Sequence, residues 1–268
     1  MEIVAIYLIF TIFSRVRVSL VRNTREKVKI IMAISITYKI FNGENYMKIF
    51  ELIKYICIDI KRDFILKKSG YIKFNEFGLR LYEGSQGSGK SMSMVHQLEE
   101  YRKFYGKSLF IATNFGYIHE DFTLSSFEDI PNCVHLAKEK NCTGVVIGWD
   151  EIQNDFDSQT RTYPIAILRT ITQQRKQSIK ILATSQVFTR VAKAIREQTF
   201  EVVSCKTYFN RLTVQRFYNP IDYEFFIANP DKKKKLDLKK KFSFVQTDEL
   251  RELYDSFAVI KNLAKYKD

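Results

Sequence analysis

The sequence predicts an α/β fold in which a mostly parallel β-sheet carries helices on both faces. From about residue 77 onward, short apolar segments of strand type alternate with segments whose apolar residues recur at helical spacing. Strands joined through helices imply parallel pairing, because a parallel pair needs a crossover connection. A glycine-rich octet stands directly between the first strand and the first helix. The composition, with 46% hydrophobic and 27% charged residues, is that of a globular protein.

The predicted elements follow one another from residue 78. The strands are GLRLYE (78–83), SLFIATN (108–114), GVVIGWDE (144–151), IKILATS (179–185), FEVVSCKT (200–207) and RLTVQRFY (211–218). The helices cover residues 90–105, 161–177 and about 187–197. Residues 120–142 are expected to mix turns with a short helix. The last two strands are expected to form a hairpin across Tyr208–Asn210.

The chain is expected to have three parts. Residues 1–76 form a basic N-terminal extension with short apolar runs, residues 77–231 form the α/β domain, and residues 232–268 form a basic, partly helical tail. The net charge of +13 lies in the flanks, because acidic and basic residues balance over residues 83–231. Basic flanks suit a polyanion, either nucleic acid or an anionic membrane surface, or they serve only to keep the chain solvated.

The N-terminal extension contains apolar runs at residues 3–13 and 30–38. Both are shorter than the roughly 20 residues that a membrane-spanning helix needs. Arg15 and Arg17 follow the first run, whereas a secretory signal carries its positive charge before the apolar run. Three interpretations fit: a buried segment, an interfacial membrane anchor, or a leader outside the functional fold. Under the last interpretation the protein starts at Met47.

Cysteine and histidine spacing gives no sign of a metal centre. The four cysteines form no C-x-x-C pair, and the three histidines complete no ligand spacing. We therefore expect reduced, unliganded thiols in a cytosol, and no zinc site.

The glycine-rich octet is the strongest chemical signal in the chain. It fits the pattern G-x-x-x-x-G-K-[ST], which predicts a phosphate-binding loop for ATP with Mg²⁺, and it consists of Gly84, Ser85, Gln86, Gly87, Ser88, Gly89, Lys90 and Ser91. Backbone N–H groups and the positive end of the following helix suit phosphates, Lys90 suits the outer phosphates, and the Ser91 hydroxyl suits Mg²⁺. Met92, next in sequence, is grouped with these nucleotide-binding residues. The alternative is a glycine-rich surface turn.

Two adjacent carboxylates end the apolar segment GVVIGWDE. We expect this strand to lie beside the strand that precedes the octet, so that Asp150 reaches the Mg²⁺ ion and Glu151 serves as general base for the attacking water. Gly148 departs from this pattern, because glycine weakens a strand. The alternative is a strand that ends in a solvated acidic turn.

A basic stretch without acidic residues follows at residues 158–196. It flanks the predicted strand 179–185, after which Gln186 is placed to sense the γ-phosphate or hold the attacking water. Its arginines suit a role in a neighbouring subunit's site, because an added arginine accelerates phosphoryl transfer by about 10³–10⁵. The alternative is a solvated basic helix face.

At these residues the chain resembles the zonula occludens toxin family, which includes the assembly ATPases of filamentous phages and lies near the FtsK–HerA superfamily of DNA-pumping ATPases. The resemblance rests on GSQGSGKS, VVIGWDEIQ and RKQSIKILATSQ and covers roughly residues 78–207. It implies a RecA-like P-loop core, with Arg175 and Gln186 at the arginine and sensor-glutamine positions. With Lys90 and Glu151, these two residues complete the expected catalytic set.

The expected function is an ATPase that drives DNA during virion assembly, packaging or export, as a homo-oligomeric ring that contacts DNA through basic residues. The alternatives are a plasmid DNA-transfer ATPase and a nucleotide-gated, membrane-associated switch or scaffold with little turnover. The sequence contains no N-K-x-D motif, which a GTPase would use to recognise guanine, so a GTPase is not supported. The paired carboxylates favour water over the hydroxyl acceptor of a small-molecule kinase. We expect the protein in the host cytoplasm, either free or at the inner face of the cell membrane with viral or host assembly partners.

Overall fold

A computed structural model describes most of the chain after residue 45. The described residues are 46–158, 174, 178–229 and 236–254. The chain divides into two compact units, residues 1–62 and 63–268, and the β-sheet belongs wholly to the second. Within the described ranges, no helix is both long enough and apolar enough to cross a membrane.

The described strands and helices alternate over most of the second unit. The strands are β1 (Gly78–Glu83), β2 (Leu109–Thr113), β3 (Phe122–Thr123), β4 (Gly144–Trp149), β5 (Ile179–Ser185), β6 (Thr199–Tyr208), β7 (Leu212–Tyr218) and β8 (Lys240–Val245). The helices are α1 (Tyr46–Lys68), α2 (Lys90–Tyr105), α3 (Ile130–Glu139), α4 (Lys193–Arg196), α5 (Pro220–Ala228) and α6 (Asp248–Glu252).

The eight strands form one mixed sheet in the order β3-β2-β4-β5-β1-β6-β7-β8. Pairing is parallel from β3 through β6, and β7 and β8 add an antiparallel edge. Apolar side chains alternate between two buried clusters, one packed against α3 and α5 and the other against α2. The sheet therefore carries helices on both faces, which confirms the predicted α/β class.

The prediction that β4 lies beside β1 is wrong. The sheet places β5 between β4 and β1, so the strand that ends at Trp149 does not touch the strand that ends at Glu83. Helix α2 crosses this part of the sheet: a Cβ atom added to Gly148 would lie 3.3 Å from Leu98 and 3.0 Å from Phe115. Glycine at position 148 thus allows a close approach of these side chains to the strand.

The prediction of a helix over about 187–197 is also wrong. Residues Phe188–Arg190 form a single 3₁₀ turn, Val191 is extended, and only the four residues of α4 are helical. Backbone hydrogen bonds explain this, because Ser158 N–H donates to the Arg190 carbonyl at 2.8 Å and Ala192 N–H donates to the Phe156 carbonyl at 2.8 Å. The helix expected over 161–177 lies outside the described residues, apart from Gln174.

The hairpin between β6 and β7 is confirmed, with antiparallel pairing from Val202 and Tyr218 to Tyr208 and Leu212. Helix α5 and strand β8 were not expected. Strand β8 pairs with β7 along its length, so the segment that we assigned to a basic tail contributes the outermost strand of the sheet.

Candidate functional site

The glycine-rich octet forms the loop between β1 and α2. Gly89 directly precedes α2 with φ 86°, and a Cβ atom there would lie 2.4 Å from Thr207 Oγ1, so no other residue fits without a shift. Lys90 is buried, and its Nζ donates to the Ser85 carbonyl at 3.1 Å across the loop. A strand, a glycine-rich turn with this lysine, and a helix in direct succession define the P-loop motif. The chain has a P-loop NTPase fold.

Asp150 lies next to the start of α2, although β5 separates its strand from β1. The Ser91 hydroxyl donates to Asp150 Oδ1 at 3.0 Å and to Oδ2 at 3.2 Å. Asn114 fixes the backbone of Asp150, because Asp150 N–H donates to Asn114 Oδ1 at 2.7 Å and Asn114 Nδ2 donates to the Asp150 carbonyl at 3.2 Å. The predicted pair of oxygen ligands is thus brought together by two elements distant in sequence.

Thr184 connects the two carboxylates. Its hydroxyl donates to Asp150 Oδ1 at 2.5 Å and accepts the Glu151 backbone N–H at 2.8 Å. Glu151 has left-handed backbone angles, φ 53° and ψ 51°, which are uncommon for a residue with a side chain and recur at functional sites. Its carboxylate accepts from Gln186 Nε2 at 3.0 Å and from Asn154 Nδ2 at 3.2 Å.

The oxygen atoms of Asp150 and Ser91 are suited to binding a cation. Burial raises the pKa of Asp150 above its ordinary value, and hydrogen bonds from Thr184 and Ser91 oppose that shift. A carboxylate and a hydroxyl oxygen side by side are donors of the type that Mg²⁺ prefers. The residues present therefore fit Mg²⁺, which Ser91 and Asp150 would hold.

A cavity of about 350 Å³ opens beside the loop. The loop residues that line it are Gly87, Gly89, Lys90 and Ser91, and Met92 forms part of the same wall. The remaining lining residues come from the β6–β7 hairpin and from the segment after β8.

Asn114 and Thr184 were not among the residues predicted for this site. Both stand at the carboxyl ends of strands that flank β4, and the carboxyl ends of parallel strands meet at one edge of a sheet. Their signal was a polar residue at the end of a buried strand, which becomes informative once the strand order is known.

Two of the described cations in the basic stretch are less available than its composition suggested. Lys180 is buried, with its Nζ 3.8 Å from Glu76, and Arg196 pairs with Glu224. Lys193 and Arg190 are exposed. The stretch contains no acidic residue, but acidic partners reach it from elsewhere in the fold. Arg175 lies outside the described residues.

No protein-family model matches the sequence, and no curated protein is significantly similar to it. Among solved structures, the N-terminal domain of zonular occludens toxin from Neisseria meningitidis is similar at 15% identity and a TM-score of 0.43, over 66% of this chain and 98% of that chain.

Two further structures are similar to this chain. The genome packaging NTPase B204 from Sulfolobus turreted icosahedral virus 2, in complex with ATP-gammaS, has 13% identity and a TM-score of 0.40 over 66% of this chain and 94% of its own. EssC (ATPases 2 and 3) from Geobacillus thermodenitrificans has 13% identity and a TM-score of 0.42 over 71% of this chain and 44% of its own.

Proposed function

We propose that this chain hydrolyses ATP and uses the energy to move DNA during virion assembly, packaging or export. The observation that carries the hydrolase assignment is the convergence of five side chains at one edge of the sheet. These are Ser91 and Asp150 in mutual contact, Thr184 bonded to Asp150 and to the Glu151 backbone, and Gln186 bonded to the Glu151 carboxylate.

In the proposed reaction the loop Gly84–Ser91 binds the phosphates through backbone N–H groups, and Lys90 leaves the Ser85 carbonyl to contact the outer phosphates. Mg²⁺ bound to Ser91 and Asp150 would neutralise charge on the phosphate oxygens.

Glu151 accepts a proton from water as the water oxygen bonds to the γ-phosphorus. The bond from that phosphorus to the β–γ bridging oxygen breaks, which leaves ADP and phosphate. Gln186 orients the Glu151 carboxylate.

Glu151→Gln tests the role of the base. The variant should bind Mg·ATP with unchanged affinity and lose at least about 100-fold in kcat, since a positioned general base contributes about 10²–10⁴. Glu139→Gln makes the same chemical change on the exposed face of α3 and should keep wild-type turnover. Wild-type kcat in Glu151→Gln would assign the base to another group.

The DNA-moving part of the proposal is supported by the net charge of +13 and by the motifs shared with DNA-pumping ATPases. The proposal includes a homo-oligomeric ring in which Arg175 of one subunit completes the ATP site of its neighbour. ATP turnover should rise with added DNA, and the rise should shrink as salt increases, because phosphate contacts release counterions. Near-zero turnover that DNA does not change would favour the nucleotide-gated switch or scaffold instead.

A further inference from the structure

The cavity beside the phosphate loop has a second wall that none of the expected site residues supplies. Its lining residues beyond the loop are Thr207, Asn210, Gln246, Arg251 and Tyr254. They come from the β6–β7 hairpin and from the nine residues that follow β8, a part of the chain that we had assigned to a tail.

A one-way chain of hydrogen bonds joins this wall to the phosphate loop. Gln246 Nε2 donates to Thr213 Oγ1 at 2.7 Å. Thr213 and Thr207 bond through their hydroxyls at 2.9 Å, and Thr207 Oγ1 donates to the Ser88 carbonyl at 2.9 Å. A hydroxyl has one proton to donate, and Thr207 donates its proton to Ser88, so Thr213 is the donor to Thr207 and the order runs from Gln246 to the loop. Thr213 and Gln246 are buried, so the bond between these two residues is shielded from water.

Arg251 is held in place at the cavity by the same glutamine. Gln246 Oε1 accepts from Arg251 Nε at 3.2 Å and from Nη2 at 3.0 Å, and Nη2 also donates to the Asn210 carbonyl. A guanidinium fixed by its neighbours loses little freedom when a ligand arrives, which favours binding.

The segment that carries Arg251 is attached at both of its ends. Gln246 N–H donates to the Arg211 carbonyl at 2.8 Å, and Ile118 N–H donates to the Leu253 carbonyl at 3.0 Å. Tyr254 forms a bridge with Tyr117. The wall is therefore built into the fold on both sides of α6.

We propose that Gln246, Arg251 and Tyr254 line the nucleoside subsite and that Arg251 binds the base or ribose of the bound nucleotide. This inference rests on the proposed ATP site. The loop occupies the phosphate end of the cavity, and the other lining groups are of the kind that suit a nucleoside: a planar guanidinium, a side-chain amide and a tyrosine ring. Arg251 would then determine the affinity for the nucleoside and leave the affinity for phosphate to the loop.

The experiment compares binding of Mg·ATP with binding of Mg·tripolyphosphate, which has the phosphates but no nucleoside. Arg251→Ala should weaken ATP binding by roughly 10-fold or more, the loss of one or two hydrogen bonds to a charged group, and should change tripolyphosphate binding by less than about 2-fold. In steady-state turnover its KM for ATP should rise while kcat stays unchanged. Glu252→Ala, exposed on the same helix, should leave both affinities as they are.

Three outcomes would overturn the proposal. Equal weakening of ATP and tripolyphosphate would place Arg251 on the phosphates, and unchanged binding of both would remove it from the site. A lower kcat with unchanged KM would make it part of the reaction rather than of nucleoside binding.

Retained tripolyphosphate binding shows that the Arg251→Ala variant is folded. If Arg251→Ala does not fold, Arg251→Lys takes its place in the experiment. Lysine keeps the charge but cannot reproduce the planar contact, so the same selective loss of ATP binding is expected. A wild-type protein that binds neither ligand would instead refute the proposed ATP site.

Discussion

Thr184 is the residue on which the geometry of the two carboxylates depends. Its single hydroxyl donates to Asp150 and accepts from the Glu151 backbone, and it is fully buried at the end of β5. Glu151 begins a left-handed turn at this point, so the bond to its N–H helps to hold an uncommon conformation. A residue that contacts neither ATP nor water in the proposed reaction thus sets the position of the general base.

Thr184→Val should lower both stability and turnover. The variant leaves the Glu151 N–H and one Asp150 oxygen without this partner, which costs about 1–3 kcal/mol for a buried group. Displacement of Glu151 should reduce kcat by about 10-fold or more, since small errors in position are costly to catalysis. Urea unfolding and steady-state assays measure the two effects.

Thr199→Val is the matched control for this prediction. Thr199 is also buried, and its hydroxyl donates to the Ile195 carbonyl at 3.1 Å, away from the carboxylates. The control should lose stability but keep its kcat. Equal kcat values in the two variants would mean that Thr184 has no part in positioning Glu151.

Lys180 is a buried cation with a depressed pKa. Its Nζ donates to the Phe77 carbonyl at 3.1 Å, and burial together with the positive charge of Arg80 lowers its pKa from 10.5 to about 8. In the unfolded chain the amine keeps its proton up to about pH 10.5. Between about pH 8 and 10.5 the unfolded state therefore binds more protons than the folded state, and this residue makes stability rise with pH.

Lys180→Met should remove that pH dependence. At pH 7 the variant should be more stable than the wild type, by an amount on the order of 3 kcal/mol before the lost hydrogen bond is counted. Unfolding free energies measured from pH 7 to 10.5 give the comparison. The exposed Lys193→Met should retain the wild-type slope. A Lys180→Met curve parallel to the wild type would show that the amine keeps an ordinary pKa in the fold.

At the scale of single elements, the turn between β6 and β7 holds a phenylalanine in a backbone conformation that residues with large side chains disfavour. Phe209 and Asn210 have φ values of 52° and 54°, and Arg211 N–H bonds to the Tyr208 carbonyl at 3.1 Å. Two central residues with positive φ define a type I′ turn, which favours asparagine followed by glycine. The Phe209 side chain is 93% exposed, so little packing compensates for the strained backbone.

Phe209→Asn should therefore stabilise the protein by about 1 kcal/mol, because asparagine tolerates the left-handed region better than phenylalanine does. Chemical denaturation measures this gain. Ile118→Asn replaces an apolar side chain that is 62% exposed on backbone without positive φ, and it should give no such gain. A loss of stability in Phe209→Asn would mean that the phenyl ring makes a contact that the backbone argument omits.

Element by element, the sequence identified those strands and helices whose pattern is local. The limits of α2 and of strands β1 and β5 follow from apolar spacing and from the adjacent glycine-rich loop. The expected helix over 187–197 failed because backbone groups of residues 156–158 bond to that segment, and no local pattern contains that information. Strand β8 was missed because five of its six residues are exposed and two of them are lysines, a composition that resembles a tail.

The site divides in the same way. Lys90, Ser91, Asp150 and Glu151 belong to continuous motifs, so the contact between Ser91 and Asp150 could be anticipated. Asn114, Thr184 and the wall after β8 join the site through strand order, and that order was expected incorrectly when β4 was placed beside β1. Sheet order depends on pairings between distant segments, which a single sequence does not specify.

For the whole molecule, ligand binding and stability should be linked. A nucleotide that binds only the folded chain, at 100 times its Kd, adds about 2.7 kcal/mol to the free energy of unfolding. For a chain of this size the Tm should rise by roughly 5–10 °C in saturating Mg·ATP. Lys90→Ala should abolish the rise, and the exposed Lys193→Ala should preserve it. A full rise in Lys90→Ala would place the nucleotide elsewhere.

The position of β1 has a consequence for how the protein is made. This strand leaves the ribosome early, yet both of its neighbours in the sheet, β5 and β6, belong to residues 179–208. Until those residues emerge, the nascent chain holds a strand with two open edges, which are templates for unwanted pairing. Thr207, which supports the loop at Ser88, arrives in the same late segment. An interrupted chain would thus contain the whole phosphate-binding motif without its folded shape. Chaperones and proteases would bind such a chain, whereas ATP would not.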